Sequence, residues 1–214
     1  MCIRDRISAQ STPARPDRPS ALRVLGATLF VALFAAACQP SPGHKPVMGF
    51  TRTTAADLAA WFHSKGSGGS ATVPVEALAE MFIEEGVAEN VAGDLAFVQA
   101  MVETGWLRFS ARMPAHRNNF SGLGAVDGGS SAAAFPDART GVRAQIQHLR
   151  AYADPWVTPA DLSNPLVDPR FHVVARGTAP TWAHFGNGNW ATDPGYASKI
   201  HRLHDDLLSF AASR

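Results

Sequence analysis

Gly93-Asp94-Leu95-Ala96-Phe97-Val98-Gln99-Ala100-Met101-Val102-Glu103-Thr104-Gly105-Trp106 decides the fold, because it reads as a buried helix that ends on an acid. Asp94 suits the N-cap, Leu95, Val98, Met101 and Val102 recur at helical spacing, and Gly105 suits the stop. Glu103 thus falls in the last turn of an otherwise apolar helix. The negative end of the helix macrodipole lies there, and partial burial among Val102, Trp106 and Phe109 would strip water from the carboxylate. Both effects favour the protonated form. An acid that keeps its proton near neutrality suits cleavage of a glycosidic bond, whose leaving oxygen must be protonated as the bond breaks. An acid near a helix end is ordinarily a solvated surface group, so position alone does not make Glu103 catalytic.

On the N-terminal side, Thr54-Ala55-Ala56-Asp57 resembles a capping box ahead of Leu58, Trp61 and Phe62, and the Gly-Ser run at residues 66–70 ends that first helix. A second helix starts at Pro74 and carries Leu78, Met81, Phe82 and a partly exposed Glu84-Glu85 pair, ending between Gly86 and Asn90. On the other side, helical spacing disappears from Arg108 to Pro136, where Asn118-Asn119, Gly122, Gly124 and Gly128-Gly129 mark loops with at most a small hairpin. Asp137 then caps an amphipathic helix with Val142, Ile146 and Leu149 on one face. Residues 154–181 carry five Pro and form an irregular connection. Asp193-Pro194 opens a last helix, with Tyr196, Ile200, Leu203, Leu207 and Phe210 or Ala211 inward. The fold class is mostly α with a minor β element, in one domain over residues 50–214.

Residues 1–37 read as a targeting segment rather than as part of the fold. Arg15, Arg18 and Arg23 precede an uncharged run of fourteen residues, Val24 to Ala37, against the roughly 20 that a spanning helix needs. The run closes on Ala35-Ala36-Ala37-Cys38, which resembles a bacterial lipobox with Ala35 where Leu is usual. Cys38 is the expected lipidation site, and the alternative is simple cleavage near the Ala run. The opening Met-Cys-Ile-Arg-Asp-Arg resembles a translated sequencing adapter, which leaves no disulfide to support the domain. Residues 38–49 are Pro-rich and polar, as a tether would be. The domain is therefore expected outside the cytoplasmic membrane, lipid-anchored or secreted to the cell wall.

With 46% hydrophobic and 17% charged residues the chain suits a globular protein. Its net charge is +1, but residues 1–37 hold five Arg and two Asp, so the remainder carries about −2 and offers no basic field for nucleic acid. No phosphate loop, nucleophile elbow or Cys/His zinc site is visible, so neither metal nor cofactor is expected. His201 and His204 lie three apart on the last helix but read as surface or edge histidines.

Four ordered blocks carry a resemblance. They are residues 93–106, then Asn118-Asn119-Phe120-Ser121-Gly122-Leu123-Gly124-Ala125, then Phe135-Pro136-Asp137-Ala138-Arg139-Thr140-Gly141-Val142-Arg143-Ala144, then Trp190-Ala191-Thr192-Asp193-Pro194-Gly195-Tyr196-Ala197-Ser198-Lys199-Ile200. Together they resemble the glucosaminidase family, glycoside hydrolase family 73, of the lysozyme-like superfamily. The resemblance implies a helical lobe facing a small β-hairpin lobe across a glycan groove. It also implies a monomer that cleaves the β-1,4 bond between N-acetylglucosamine and N-acetylmuramic acid of peptidoglycan, with Glu103 as general acid. It places Asn118, Asn119 and Tyr196 beside that acid. The Asn pair could bind acetamido groups or simply form turns, Tyr196 could be core or face the cleft, and Trp106 and Trp190 could stack on sugars or pack inside.

The second group is less defined. Asp127, flanked by Val126 and Gly128-Gly129 in the hairpin region, is the leading candidate, while Asp137 is better explained as a cap. Substrate assistance by the N-acetyl group is the alternative. Two other functions share these features: a lytic transglycosylase, which leaves an anhydro sugar, and a catalytically silent lipoprotein that binds cell-wall glycan.

Overall fold

The computed structural model describes residues 45–66, 68–124, 132–186 and 189–214. Five helices build the fold: α1 (Ala55–Ser64), α2 (Val75–Glu89), α3 (Gly93–Glu103), α4 (Ala138–Ala153) and α5 (Tyr196–Ala212). Single 3-10 turns sit at Ala115–Arg117, Pro159–Asp161, Phe171–Val173 and Trp182–His184. The mostly α class expected from the sequence is what forms. Among the described residues there is no strand, only isolated bridges of Pro46 with Thr181 and Met48 with Val91, so the small β lobe is not seen. Part of the hairpin region, residues 125–131 with Asp127, lies outside the described residues, as does Cys38.

α3 is the axis of the domain. Every residue from Gly93 to Met101 is buried, as a helix apolar on all sides must be. It packs against α2 on one side and α5 on the other, while α2 also meets α1 and α4. Leu58, Trp61, Leu78, Phe82, Phe97, Met101, Val142, Ile146, Ile200 and Leu207 join in one core. The Thr54–Asp57 capping box forms as the sequence implied, and so does the Asp137 cap, whose carboxylate accepts from Thr140 N at 2.8 Å. The α2 helix ends on Asn90 in the left-handed region, a residue that tolerates that conformation.

Four sequence expectations need correction. Asp94 is not the N-cap of α3: Ala92 takes that place, and the Gly93 N–H donates instead to Thr51 Oγ1 at 3.0 Å. Asp94 lies one residue inside, buried, accepting from Arg52 N at 2.9 Å and pairing with His204 Nε2 at 3.1 Å. His204 is consequently core, at 1% exposure, and not a surface histidine; its Nδ1 faces Lys45 Nζ at 2.9 Å. Residues 45–49, which composition assigned to the tether, are inside the fold: Val47 is fully buried and its backbone bonds both Pro180 O and Ala92 N, each at 3.0 Å. A Pro-rich run can still dock when its few apolar side chains reach the core: Val47 is part of it and Met48 packs against it. Glu85, expected to be partly exposed, is buried and accepts a two-pronged bond from Arg143, 2.9 Å on each oxygen, which ties α2 to α4.

Candidate active site

Immediately after α3 the chain turns left-handed: Gly105, Trp106, Leu107 and Phe109 have φ of 61°, 62°, 58° and 54°. For non-glycine residues this costs roughly 1–2 kcal/mol each, so packing must hold them there. Trp106 lies against Trp61 at 4.9 Å, Phe109 against Phe120 at 6.2 Å, and Leu107 is buried. Thr104 Oγ1 ties the turn together, donating to Ala100 O at 2.7 Å and accepting from Leu107 N at 3.0 Å. The tight reversal leaves Glu103 standing at the end of α3 with one side open to solvent.

Its carboxyl is held asymmetrically. Oε1 accepts from Tyr196 Oη at 2.5 Å and from Trp190 Nε1 at 3.0 Å. Oε2 faces Gly122, where a Cβ would stand 3.7 Å away. Although Glu103 keeps a solvent-facing side, protein crowds the carboxyl closely enough that burial raises its pKa, the largest influence on it. The Tyr196 and Trp190 bonds and the positive charge of Lys199 pull in the opposite direction without cancelling it. Tyr196 is itself pushed well above the usual phenol value, first by burial and then by the charge of Glu103, so it remains a donor. Behind it stand two buried amides: Gln99 Nε2 reaches Tyr196 Oη at 3.0 Å, and Gln145 Nε2 reaches Gln99 Oε1 at 2.8 Å.

Asn118 and Asn119 set the wall opposite. Asn119 donates to Leu123 O at 2.9 Å and Ala133 O at 3.0 Å, and its oxygen accepts from Leu123 N at 3.1 Å. Asn118, itself left-handed, donates to Phe135 O at 3.2 Å and accepts from Thr72 Oγ1. Of the two sequence readings of this pair, the geometry favours loop building: both side chains are buried and engaged within the protein, presenting Gly122 to Glu103.

Trp190 is half-buried in an aromatic cluster, with Phe185 at 5.6 Å, His148 at 5.3 Å and Tyr152 at 6.0 Å. His148 is anchored in turn by Asp168 at 2.8 Å. Trp106, half-buried, lies instead against Trp61 and Phe62 of α1, at 4.9 and 6.3 Å.

Glu103, Tyr196, Trp190 and the loop built by Asn118 and Asn119 therefore converge. Sequence reasoning missed Gln99, Gln145 and the donor role of the Trp190 N–H. A signal for Gln99 was available: it is a polar residue inside an apolar helix, four before Glu103 and so on the same face. Gln145 gives no such sign, since α4 is amphipathic and its burial depends on the partner helix.

The family model described as mannosyl-glycoprotein endo-beta-N-acetylglucosaminidase matches residues 79–208, from within α2 to near the end of α5. The chain is also similar to an uncharacterized protein of Borreliella burgdorferi, 35% identical over 136 residues, which is 64% of each chain and so less than two thirds of that relative's length.

Proposed function

This chain belongs to the glucosaminidase family, and from that membership we propose that it is a peptidoglycan hydrolase cleaving the β-1,4 bond between N-acetylglucosamine and N-acetylmuramic acid, with Glu103 as general acid. The single observation that supports it best is the asymmetric hold on Glu103: two donors occupy Oε1, while Oε2 lies beside Gly122 with no hydrogen bond from the described residues. A carboxyl whose pKa is raised by burial keeps a proton to give to the leaving glycosidic oxygen as the bond breaks. Tyr196 and Trp190 hold it in place and share the negative charge that remains after transfer. For the group that completes hydrolysis we propose Asp127, five residues beyond Gly122. Asp127→Asn would abolish turnover if Asp127 activates the water, and would spare it if the substrate's own N-acetyl group attacks.

The natural setting of this activity is the cell wall, reached by export with lipid modification at Cys38. No helix among the described residues is long and apolar enough to cross a membrane. The test is digestion of purified peptidoglycan by the full chain and by Glu103→Gln, with the released fragments identified by mass. The parent should release muropeptides ending in reducing N-acetylglucosamine and the variant almost none. Equal release by both would remove Glu103 from the chemistry.

A further inference from the structure

We infer that, with Glu103 as the general acid proposed above, Gln99 and Gln145 are positioning residues that fix the direction of a hydrogen-bond chain and so keep the acid's proton on Oε2. The chain is anchored at a main-chain carbonyl, which can only accept: Gln145 Nε2 donates to Ala96 O at 3.0 Å. The same nitrogen stands 2.8 Å from Gln99, so the Gln99 atom there is the accepting oxygen. That turns the Gln99 nitrogen, a donor only, towards Tyr196 Oη at 3.0 Å. The hydroxyl accepts from Gln99, and its one proton is left to donate to Glu103 Oε1 at 2.5 Å. Trp190 Nε1, which cannot accept, meets the same oxygen at 3.0 Å. Oε1 therefore accepts twice, and the proton of the neutral acid resides on Oε2, beside Gly122.

Each link is dictated by the one before it. Turning the Gln145 amide over would set its oxygen against Ala96 O, two acceptors facing each other. Gln99 and Gln145 are fully buried and Tyr196 is 5% exposed, so bulk water does not reach in to substitute for a lost partner. Gln145 Oε1 finds no hydrogen-bond partner among the described residues. Without the chain, Glu103 can place its proton on Oε1 and donate to Tyr196 Oη, away from Gly122.

Gln99→Glu tests the direction directly. Ionised, the new carboxylate only accepts; it takes the bond of Gln145 and also the proton of Tyr196, reversing the last link. Protonated, it has one oxygen that accepts and one O–H that donates, the amide pattern restored. The expected result for the full chain on peptidoglycan is a kcat about a hundredfold below the parent near neutral pH with KM within about twofold, and recovery relative to the parent as the pH falls. Gln99→Met and Gln145→Met, similar in length but without the amide, should lose roughly tenfold with no recovery in acid. A loss in Gln99→Glu that is the same at every pH would mean a packing role and overturn the inference.

A second readout needs no turnover. Titration of the Glu103 carboxyl carbon by NMR should give a higher midpoint in Gln99→Glu than in the parent, because a bond to the charged form is lost and a like charge added; an unmoved midpoint overturns the inference as well. A parent without glycosidase activity whose titration still moves would sink the hydrolase reading and support the directed chain. An active parent with an unmoved titration would sink the directed chain alone.

Discussion

Gly141→Ala isolates the contact that sets the wall opposite Glu103. Gly141 sits in the first turn of α4, its N–H bonded to Asp137 O at 3.2 Å. A Cβ added there would stand 1.7 Å from Asn118 O and 2.9 Å from Asn118 C, with the Phe120 ring at 3.4 Å. The obstacle is backbone, so no side-chain rotation relieves it; α4 or the Asn118 turn must move by more than about an ångström to restore ordinary contact. Local propensity points the other way, since Ala is favoured over Gly in a helix by about 1 kcal/mol. Overpacking of this severity costs about 3 kcal/mol, and strain in the Asn118 bonds to Thr72 and Phe135 roughly 1 more, for a net loss of about 3 kcal/mol. For a domain of this size that corresponds to a melting point roughly 6–12 °C lower. Because the displaced turn leads directly to Gly122, an ångström of movement should also reduce turnover by about a hundredfold. Thermal unfolding followed by tryptophan fluorescence, with turnover measured on the same preparations before heating, reads both effects. A melting point equal to or above the parent's, as helix propensity alone would give, would refute the reasoning.

Three further outcomes are expected. Glu103→Gln should be more stable than the parent at about pH 7 and the gap should close by about pH 4. The folded pKa of Glu103 is raised, so its favourable contribution is complete below the ordinary 4.5 and is lost as the pH rises through the raised value, where the unfolded chain ionises more readily. Melting points across that range check the sign. Arg143→Met leaves Glu85, 3% exposed, with Asn164 at 3.2 Å and Arg139 at 3.4 Å as its partners among the described residues, and should cost about 3 kcal/mol in urea unfolding; adding Glu85→Leu should recover most of the loss. Trp190→Phe keeps the aromatic packing and deletes the N–H bond to Glu103, so kcat should fall roughly ten- to a hundredfold with KM nearly unchanged, whereas a sugar-stacking role would raise KM instead.

Much of the helical frame was legible because its signals are local. The Thr54 and Asp137 caps and the 3.6-residue spacing of α2, α4 and α5 depend on neighbours in the chain. Glu103 and Tyr196 were legible as family motifs, and the structure joins them by a hydrogen bond. What escaped depends on contacts between distant segments. Asp94 looks like a cap until Thr51 supplies that bond and His204 claims the carboxylate across 110 positions. Val47 looks like tether until Pro180 and Ala92 bond its backbone. Trp190 offered a stacking surface in sequence, but its N–H, directed by Phe185, His148 and Tyr152, is the group that meets Glu103.

The central claim is that Glu103 protonates the glycosidic oxygen between N-acetylglucosamine and N-acetylmuramic acid and that water completes the cleavage. Digestion of peptidoglycan by the full chain in 18O-labelled water, followed by mass spectrometry of the new ends, tests it most directly. The expected product is a reducing N-acetylglucosamine end carrying one labelled oxygen, absent from the Glu103→Gln digest. An unlabelled anhydro-muramic end, dependent on the same Glu103, would contradict hydrolysis and make the protein a lytic transglycosylase.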